Sequence, residues 1–336
     1  MKKILSRIEY GYVYIYDFDI KGYFDNIPHK KLMKVLNKYV SDGTVLDMIW
    51  KWLKAGYMED GVRFNQTKGT QQGGVISPLL ANIYLNELDW ELDKANHEFV
   101  RYADDALIMC KTPEELEKAK ALVKRVLDEL GLEIAEDKTK DVDFHNDDFE
   151  FLGFKFEHLR ISKKGDEYYI IKISESGIKK FKSDIKSKSK KSWTFSFEKW
   201  KEILNPVIRG KFNYYLKAMK AKQAVEEVLE SRGLKCKCIV SHNEYKTLDG
   251  YVRQRLRVAF SCRGKKNGCR RDGKLLTVKY DNLFFLKEMG LVSGHYMFNL
   301  HNNNGITIEE YCMKTKRKNQ KRTKSSDRFF RYALAK

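Results

Sequence analysis

The sequence predicts an α+β fold, in which an antiparallel sheet with packed helices is followed by a helical domain. Residues 12–19 are nearly continuous in apolar and aromatic side chains, which is typical of a buried strand. Residues 99–110 are two short apolar runs around an acidic pair, and this pattern predicts a hairpin with the acids at its tip. Residues 197–230 carry apolar positions mostly at helical spacing. Strand signals therefore lie in the first half of the chain, whereas the second half is mainly helical.

Further elements of the first half follow from local signals. Apolar residues within 30–57 recur at helical spacing. Ser77 followed by Pro78 predicts an N-cap and the first residue of a buried helix. Residues 112–131 begin with a capping box and end at a glycine, so they predict a complete helix. Residues 149–156 alternate between apolar and polar types, as a half-buried strand does.

Composition divides the chain into four predicted segments. Residues 1–160 hold the predicted sheet and its helices. Residues 161–192 are dense in lysine and serine and predict a basic linker. Residues 193–313 interleave aromatic and basic side chains in a second domain, and residues 314–336 form a basic tail.

The charge of the chain indicates its partners more than its fold. The formal net charge is +19 over 336 residues, which favours nucleic acid as the partner. An anionic membrane surface and a merely soluble basic protein are the alternatives. No apolar run approaches the roughly 20 residues that span a bilayer, and the N-terminus lacks the pattern of a signal peptide. The six cysteines are sparse for this length, so a reduced, cytoplasmic location is expected.

Cysteine spacing does not favour zinc. Cys236 and Cys238 are separated by one residue, and Cys262 and Cys269 lie farther along the chain with His242 in between. Structural zinc sites usually have paired Cys-x-x-Cys ligands, so no zinc is expected.

Three acids are the candidates for chemistry. Asp19 ends a buried strand, and Asp104 and Asp105 lie at the predicted hairpin tip. Carboxylates between apolar strands are costly unless a cation compensates them, and Mg²⁺ prefers hard oxygen ligands. Two such ions would clamp the attacking and leaving oxygens of a phosphoryl transfer. Ordinary turn chemistry is the alternative for the pair, and Asp17 and Asp25 are rival ligands.

Five stretches, in order, resemble the palm motifs of group II intron reverse transcriptases. They are DIKGYFDNI at 19–27, GTQQGGVISPLLANIYL at 69–85, YADD at 102–105, GLE with KTK between 131 and 140, and FLGF at 151–154. Residues 193–215 and 248–257 resemble parts of the thumb, or maturase, region of the same family. The resemblance implies a right-hand polymerase palm over 1–160 and a thumb/maturase-like RNA-binding domain over 193–313. It also implies an RNA-directed DNA polymerase that is an intron maturase.

The resemblance also implies the metal ligands. Asp19, Asp104 and Asp105 would be catalytic and would hold two Mg²⁺ ions, for which Mn²⁺ is a possible substitute. The backbone carbonyl of Ile20 would be a further ligand.

Substrate contacts follow from the same motifs. Phe24 would pack under the sugar of the incoming nucleotide and exclude a 2′-hydroxyl. Gln72 and Gly73 would line the nucleotide pocket, Tyr102 would abut the primer terminus, and Lys138 would approach the triphosphate. The alternatives are a core position for Phe24, a strand-filling role for Tyr102 and a solvated charge for Lys138.

The implied partners are structured intron RNA, an RNA template, a DNA primer and dNTPs, with no membrane. In the second domain Arg209, Lys211, Arg253, Arg255 and Arg257 are the candidates for pairing with phosphates. Spacing by two residues would spread the last three around a helix. The aromatic residues of this domain are expected to be mostly core.

The sequence departs from the family in two places. Gln71 stands where the family's second motif usually has proline. Only 18 residues precede Asp19, where family members carry a fingers region, so we expect that region to be missing or encoded as a separate fragment. The alternative function is therefore an RNA-binding maturase or splicing factor without autonomous polymerase activity, and a truncated remnant is a third possibility.

Overall fold

The computed structural model describes residues 1–59, 62–64, 67–70, 74–190, 193, 195–261, 280–282, 284–302, 307–308 and 310–312. Gln72, Gly73, Cys262, Cys269 and the predicted tail 314–336 lie outside these residues. The chain divides into two compact units. The first unit comprises 1–151, 156–169 and 224–238, and the second comprises 152–155, 170–223 and 239–336.

The first unit contains most of the strands. Its elements, in chain order, are α1 (Lys2–Glu9), β1 (Tyr14–Phe18), α2 (Tyr23–Asn26), α3 (His29–Leu36), α4 (Gly43–Lys54), β2 (Tyr57–Glu59), β3 (Val62–Phe64), α5 (Ser77–Lys94), β4 (Glu98–Tyr102), β5 (Asp105–Cys110), α6 (Pro113–Leu130), β6 (Lys140–Asp143) and β7 (Phe149–Phe151). Strands β8 (Phe154–Ile161), β9 (Glu167–Ile173) and β10 (Cys238–Val240) contribute residues to both units.

The main sheet of the first unit has the strand order β4-β5-β1-β6. Every pairing is antiparallel, and β1 is central: Asp17 lies opposite Leu107 on β5 and Lys140 on β6. On one face Tyr16, Phe18 and Ile108 pack into a core with α5 and α6. Ile15, on the other face, is also fully buried. Burial of both faces explains why the strand sequence is continuously apolar, as predicted.

Helix α6 shows how local sequence sets an element. The Thr112 hydroxyl accepts a hydrogen bond from the Glu115 amide at 3.3 Å, and the Glu115 carboxylate accepts one from the Lys111 amide at 2.9 Å. The helix ends at Gly131, whose φ of 72° is readily adopted by glycine. The predicted helix over 112–131 is therefore confirmed.

Two local predictions need correction, and the helical pattern over 30–57 is resolved into separate elements. The predicted strand 149–156 is interrupted, because Leu152 and Gly153 have φ values of 50° and 76° and separate β7 from β8. The pattern over 30–57 is two helices, since the Asp42 carboxylate caps α4 by accepting from the Thr44 amide at 2.8 Å. Ser77 is the first helical residue of α5 rather than its N-cap.

The second unit is mainly helical, as predicted. Its elements are α7 (Glu175–Ser187), α8 (Phe197–Glu230), which contributes its residues from 224 onward to the first unit, α9 (Asn243–Ser261), a π-helix (Phe284–Glu288) and α10 (Gly294–Asn302). Asp249 on α9 is buried and accepts hydrogen bonds from the amides of Gly294 and His295, at 2.9 and 3.0 Å. This carboxylate therefore caps α10.

The prediction of a basic linker over 161–192 is wrong for its described residues 161–190, which contain β9 and α7. In α7 the lysines lie mostly outward, whereas Phe181 and Ile185 are fully buried four residues apart. Ser174 caps the helix by accepting from the Gly177 amide at 3.1 Å. Two buried positions within a lysine-rich stretch were too weak a pattern to predict a helix. No helix among the described residues is long and apolar enough to cross a membrane.

Candidate active site

The acidic pair lies on a tight hairpin. Tyr102 on β4 pairs with Asp105 on β5, so Ala103 and Asp104 form a two-residue turn. Ala103 has a φ of 58°, which is left-handed and uncommon for a residue with a side chain. The predicted hairpin with acids at its tip is confirmed.

Asp19 reaches the same place from the central strand. It follows the last residue of β1, and extending the observed register by one pair sets Asp19 opposite Asp105. The backbone carbonyl of Asp19 accepts from the Ala135 amide at 2.8 Å, which ties this strand end to the segment after α6. Strand pairing therefore brings together acids that are 86 positions apart in the sequence.

The acids are close enough for their charges to affect one another. The pKa of Asp105 is raised, first by burial and then by the negative charges of Asp104 and Asp19. The pKa of Asp17 is raised to about 6 by burial and then by Asp105. Asp17, the rival ligand, therefore borders the group, but it lies within β1 rather than at its end.

A lysine side chain forms an ion pair with one of the three acids. The Lys138 ammonium donates to Asp19 Oδ2 at 3.0 Å, and this hydrogen bond raises the Lys138 pKa. Lys138 was predicted to approach the triphosphate, and the structure places it beside a predicted metal ligand.

The donor chemistry fits a hard divalent cation. Asp19, Asp104 and Asp105 offer only oxygen ligands, and their repulsion is relieved by positive charge. Within the described part of the chain, no three His, Cys, Asp or Glu side chains already stand in metal-coordinating geometry. The residues therefore fit Mg²⁺ in type, and coordination requires their side chains to close around the ion.

Three other predicted site residues, Phe24, Tyr102 and Ile20, lie close to these acids in the sequence. Phe24 is half-buried on α2, with its ring 5.5 Å from that of Tyr23. Tyr102 is 65% exposed at the end of β4. Ile20 is buried and forms an isolated bridge with Ile134. Gln72 and Gly73, the predicted lining of the nucleotide pocket, lie outside the described residues.

Motif residues 19–27 are held against the start of the 69–85 motif by the backbone. The Thr70 amide donates to the Phe24 carbonyl, and the Gly69 amide to the Ile27 carbonyl, both at 2.7 Å. Gly69 has a φ of 90°, and a Cβ there would lie 2.8 Å from the carbonyl oxygen of Asp25. Only glycine therefore permits this close approach.

Sequence reasoning missed His29. This buried histidine lies two residues after the 19–27 motif, and its Nε2 is 2.6 Å from the Gly69 carbonyl oxygen. Its position shortly after a motif was the only signal for it in the sequence. Arg101, which precedes Tyr102, was also missed; its guanidinium contacts Asp89 on α5.

Two of the predicted RNA-binding residues are accessible on α8. Arg209 is exposed. Lys211 Nζ lies 3.9 Å from Asp184 Oδ2. Lys211 also lines a cavity of about 580 Å³ in the second unit, together with Lys180 and Tyr214.

The three arginines of α9 have partners within the second unit. Arg253 lies 3.9 Å from the buried Asp249, and Arg255 Nη2 donates to the Ser189 carbonyl at 2.5 Å. Arg257 Nε donates to the Tyr280 carbonyl at 2.9 Å, and burial lowers its pKa. These contacts support the fold, so RNA binding by these arginines stays a prediction that competes with a structural role.

Comparison with known proteins identifies the domain. Residues 3–156 match the sequence model of the family described as Reverse transcriptase (RNA-dependent DNA polymerase). This part of the chain, which includes Asp19, Asp104 and Asp105, is therefore similar in sequence to the reverse transcriptase family.

Individual relatives show which kind of reverse transcriptase the chain resembles. The chain is 38% identical over 138 residues to the group II intron-encoded protein LtrA of Lactococcus lactis, covering 41% of this chain and 22% of LtrA. It is 30% identical over 207 residues to protein YkfC of Escherichia coli, covering 51% of this chain and 54% of YkfC. The chain thus spans about half the length of YkfC and less of LtrA. The predicted resemblance to group II intron reverse transcriptases and maturases is confirmed.

Solved structures show similarity at low identity. Apo telomerase from Candida tropicalis matches with a TM-score of 0.43 and 12% identity, over 77% of this chain and 50% of that one. Telomerase from Candida albicans with a fragment of telomeric RNA matches with a TM-score of 0.41 and 13% identity, over 80% and 48%.

Proposed function

We propose that the chain is an RNA-directed DNA polymerase of a group II intron and also a maturase for the intron RNA. One observation carries the proposal: Asp19, Asp104 and Asp105 meet at the end of β1 and the tip of the β4–β5 hairpin. They do so inside residues that match the reverse transcriptase family.

The three acids and the Ile20 carbonyl would hold two Mg²⁺ ions, and Mn²⁺ would be a functional substitute. When bound, such ions activate a 3′-hydroxyl for attack and stabilise the departing pyrophosphate. The contribution of the chain is to hold the backbone of the three acids at the end of β1 and on the β4–β5 hairpin, so that only their side chains need to close around the ions.

Lys138 is the proposed contact of the triphosphate. Its ammonium neutralises Asp19 in this structure, and its side chain is 65% exposed on a flexible stem. Once other cations neutralise Asp19, the ammonium can turn to a triphosphate. Tyr102, exposed next to the acidic turn, is the proposed contact of the primer terminus, and Gln72 and Gly73 remain the proposed lining of the nucleotide pocket.

Extension of a DNA primer on an RNA template by the purified chain tests the proposal. We expect Mg²⁺-dependent extension that stops when the metal is chelated. The reaction is run with the chain alone and with an added fingers fragment from a relative, which tests the predicted separate fragment. Absence of extension in both cases contradicts a polymerase; specific binding of intron RNA would then favour a maturase without polymerase activity.

Replacing Phe24 with alanine should relax the choice of sugar. The half-buried ring is the proposed barrier to a 2′-hydroxyl, so its removal should raise ribonucleotide incorporation relative to deoxynucleotide by about tenfold or more, because one misplaced contact is worth about 1–3 kcal/mol. The measurement is kcat/KM for a dNTP and the matching rNTP. A ratio equal to that of the unaltered chain would assign Phe24 to the core instead.

Replacing Arg209 with glutamine should weaken binding of intron RNA and lower the salt dependence of binding by about one unit of slope, because one phosphate contact is lost. Arg209 is exposed on α8, whereas the guanidinium groups of α9 have internal partners. The control is Arg125→Gln, which removes an arginine that is 60% exposed in the first unit. Equal losses of RNA affinity in the two variants would indicate a general effect of positive charge rather than a phosphate contact at Arg209.

A further inference from the structure

We propose that Arg101 is a positioning residue that holds the turn carrying Asp104 against helix α5. The proposal rests on the proposed polymerase function, because it assigns Arg101 a role in the geometry of the same acids. It is carried by four hydrogen bonds from a single guanidinium group.

Arg101 forms a two-pronged ion pair with helix α5. Its Nε donates to Asp89 Oδ1 at 2.8 Å, and its Nη2 donates to Asp89 Oδ2. The Arg101 side chain is 11% exposed and that of Asp89 is 20% exposed. Bidentate pairs of this kind are strong and directional, and low exposure limits screening by solvent. The guanidinium group is therefore fixed relative to α5.

The remaining nitrogen of the guanidinium group, Nη1, contacts both the acidic turn and helix α5. It donates to the Ala103 carbonyl and to Asn82 Oδ1, both at 2.9 Å. Asn82 and Asp89 are seven residues apart on α5 and so lie on the same side of the helix. Arg101 on β4 thus connects Asn82 and Asp89 of α5 to the turn that carries Asp104.

The contact acts on a strained peptide. Ala103 has a φ of 58°, and backbone strain of this kind persists only where surrounding contacts enforce it. The Ala103 carbonyl belongs to the peptide group that leads into Asp104. Its orientation sets the position of the Asp104 backbone, so loss of the Arg101 contact would let the carboxylate of Asp104 move.

Helix α5 also contacts the 19–27 motif. The Tyr23 hydroxyl, next to Phe24, donates to the Ala81 carbonyl at 2.5 Å, beside Asn82. Helix α5 therefore provides a common support for the 19–27 motif and for the turn with Asp104. Ligand geometry held by such supporting contacts is the usual requirement for tight metal binding.

The test is the affinity for Mn²⁺ of the full chain, measured by electron paramagnetic resonance, together with the Mg²⁺ concentration that half-saturates extension. Arg101→Gln and Asp89→Asn should each weaken metal binding by about 10–100-fold, the usual effect of losing a residue that orients a ligand. The double variant should bind metal no more weakly than the worse single variant, because the two residues act as one unit.

Two controls separate positioning from general destabilisation. Arg125→Gln breaks an exposed pairing of Arg125 with Glu91 on the same helix α5, at 3.7 Å, and should leave metal affinity unchanged. Val123→Ala removes volume from the buried core on α6 and should lower thermal stability without changing metal affinity. If Arg101→Gln does not fold, Asn82→Ala removes one acceptor and should give a smaller loss in the same direction.

The outcomes distinguish this proposal from the function on which it rests. Metal binding by the unaltered chain that is insensitive to Asp104→Ala overturns the proposed polymerase site itself. A second outcome is that Asp104→Ala abolishes metal binding, whereas Arg101→Gln (or Asn82→Ala in its place) leaves the metal affinity unchanged. This outcome overturns only the positioning role. A loss of affinity equal to that of Val123→Ala also overturns it, because general destabilisation then explains the effect.

Discussion

Replacing Asp104 with asparagine should abolish primer extension and leave the fold at least as stable as before. Asparagine keeps the shape of the side chain at the turn but removes a negative charge that a divalent cation needs. Because metal ions contribute several kcal/mol to such reactions, we expect the rate to fall on the order of a thousandfold or more.

The expected gain in stability follows from the electrostatics of the group. The negative charges of Asp104 and Asp19 raise the pKa of Asp105, after the larger effect of its burial. Removing one of the charges relieves repulsion, so the free energy of unfolding should stay equal or increase by up to about 1 kcal/mol. Activity and stability therefore change in opposite directions, as is typical of functional sites.

Single-turnover extension and thermal unfolding measure the two effects. The matched control is Asp93→Asn, which removes an exposed carboxylate on α5 and should change neither quantity. Extension by the Asp104→Asn chain at a rate comparable to that of the control would contradict a metal-binding role for Asp104. A large loss of stability would instead assign Asp104 to the fold.

Replacing Gly294 with alanine should destabilise the second unit by about 3 kcal/mol. An added Cβ at this position would lie 2.2 Å from the Phe212 ring. That ring is fully buried and lies between Phe181 and Tyr245, with ring centroids 5.5 and 5.6 Å away, so it has no space into which it can move. The Gly294 amide also donates to the buried Asp249, and displacement of α10 would strain this cap.

Gly250→Ala is the matched control because it also adds one methyl group to a glycine in a helix of the same unit. A Cβ there meets no atom within 4 Å. Alanine has the higher helix propensity, so this variant should gain about 0.5–1 kcal/mol. Urea unfolding followed by tryptophan fluorescence measures the free energy of unfolding of both variants. Equal stability of the two variants would contradict the packing of Gly294 against Phe212, whereas partial rescue of Gly294→Ala by Phe212→Leu would support it.

Local patterns in the sequence predicted those elements whose causes are local. Helix α6 begins at a capping threonine and ends at a glycine, and the β4–β5 hairpin is two apolar runs around two acids. The α+β class and the helical second unit followed from such patterns. The predicted linker was wrong for the same reason: the lysines of α7 outnumber its buried residues, and only packing shows that Phe181 and Ile185 face inward.

The motifs of the sequence also determined which acids to consider, and strand pairing brought Asp19 next to Asp105 as those motifs implied. Contacts between distant residues were decided only by the tertiary structure. Lys138 donates to Asp19, 119 residues away, and Arg101 reaches two residues of α5 that no motif links to it. Arg255, a candidate for RNA, instead contacts Ser189. A side chain's partner depends on which surfaces the packed elements bring together, and a long flexible cation can pair with any carboxylate or carbonyl within its reach. The sequence by itself thus determined the family resemblance and the three candidate acids, whereas folding decided which basic residues contact those acids, which contact the helices and which remain exposed.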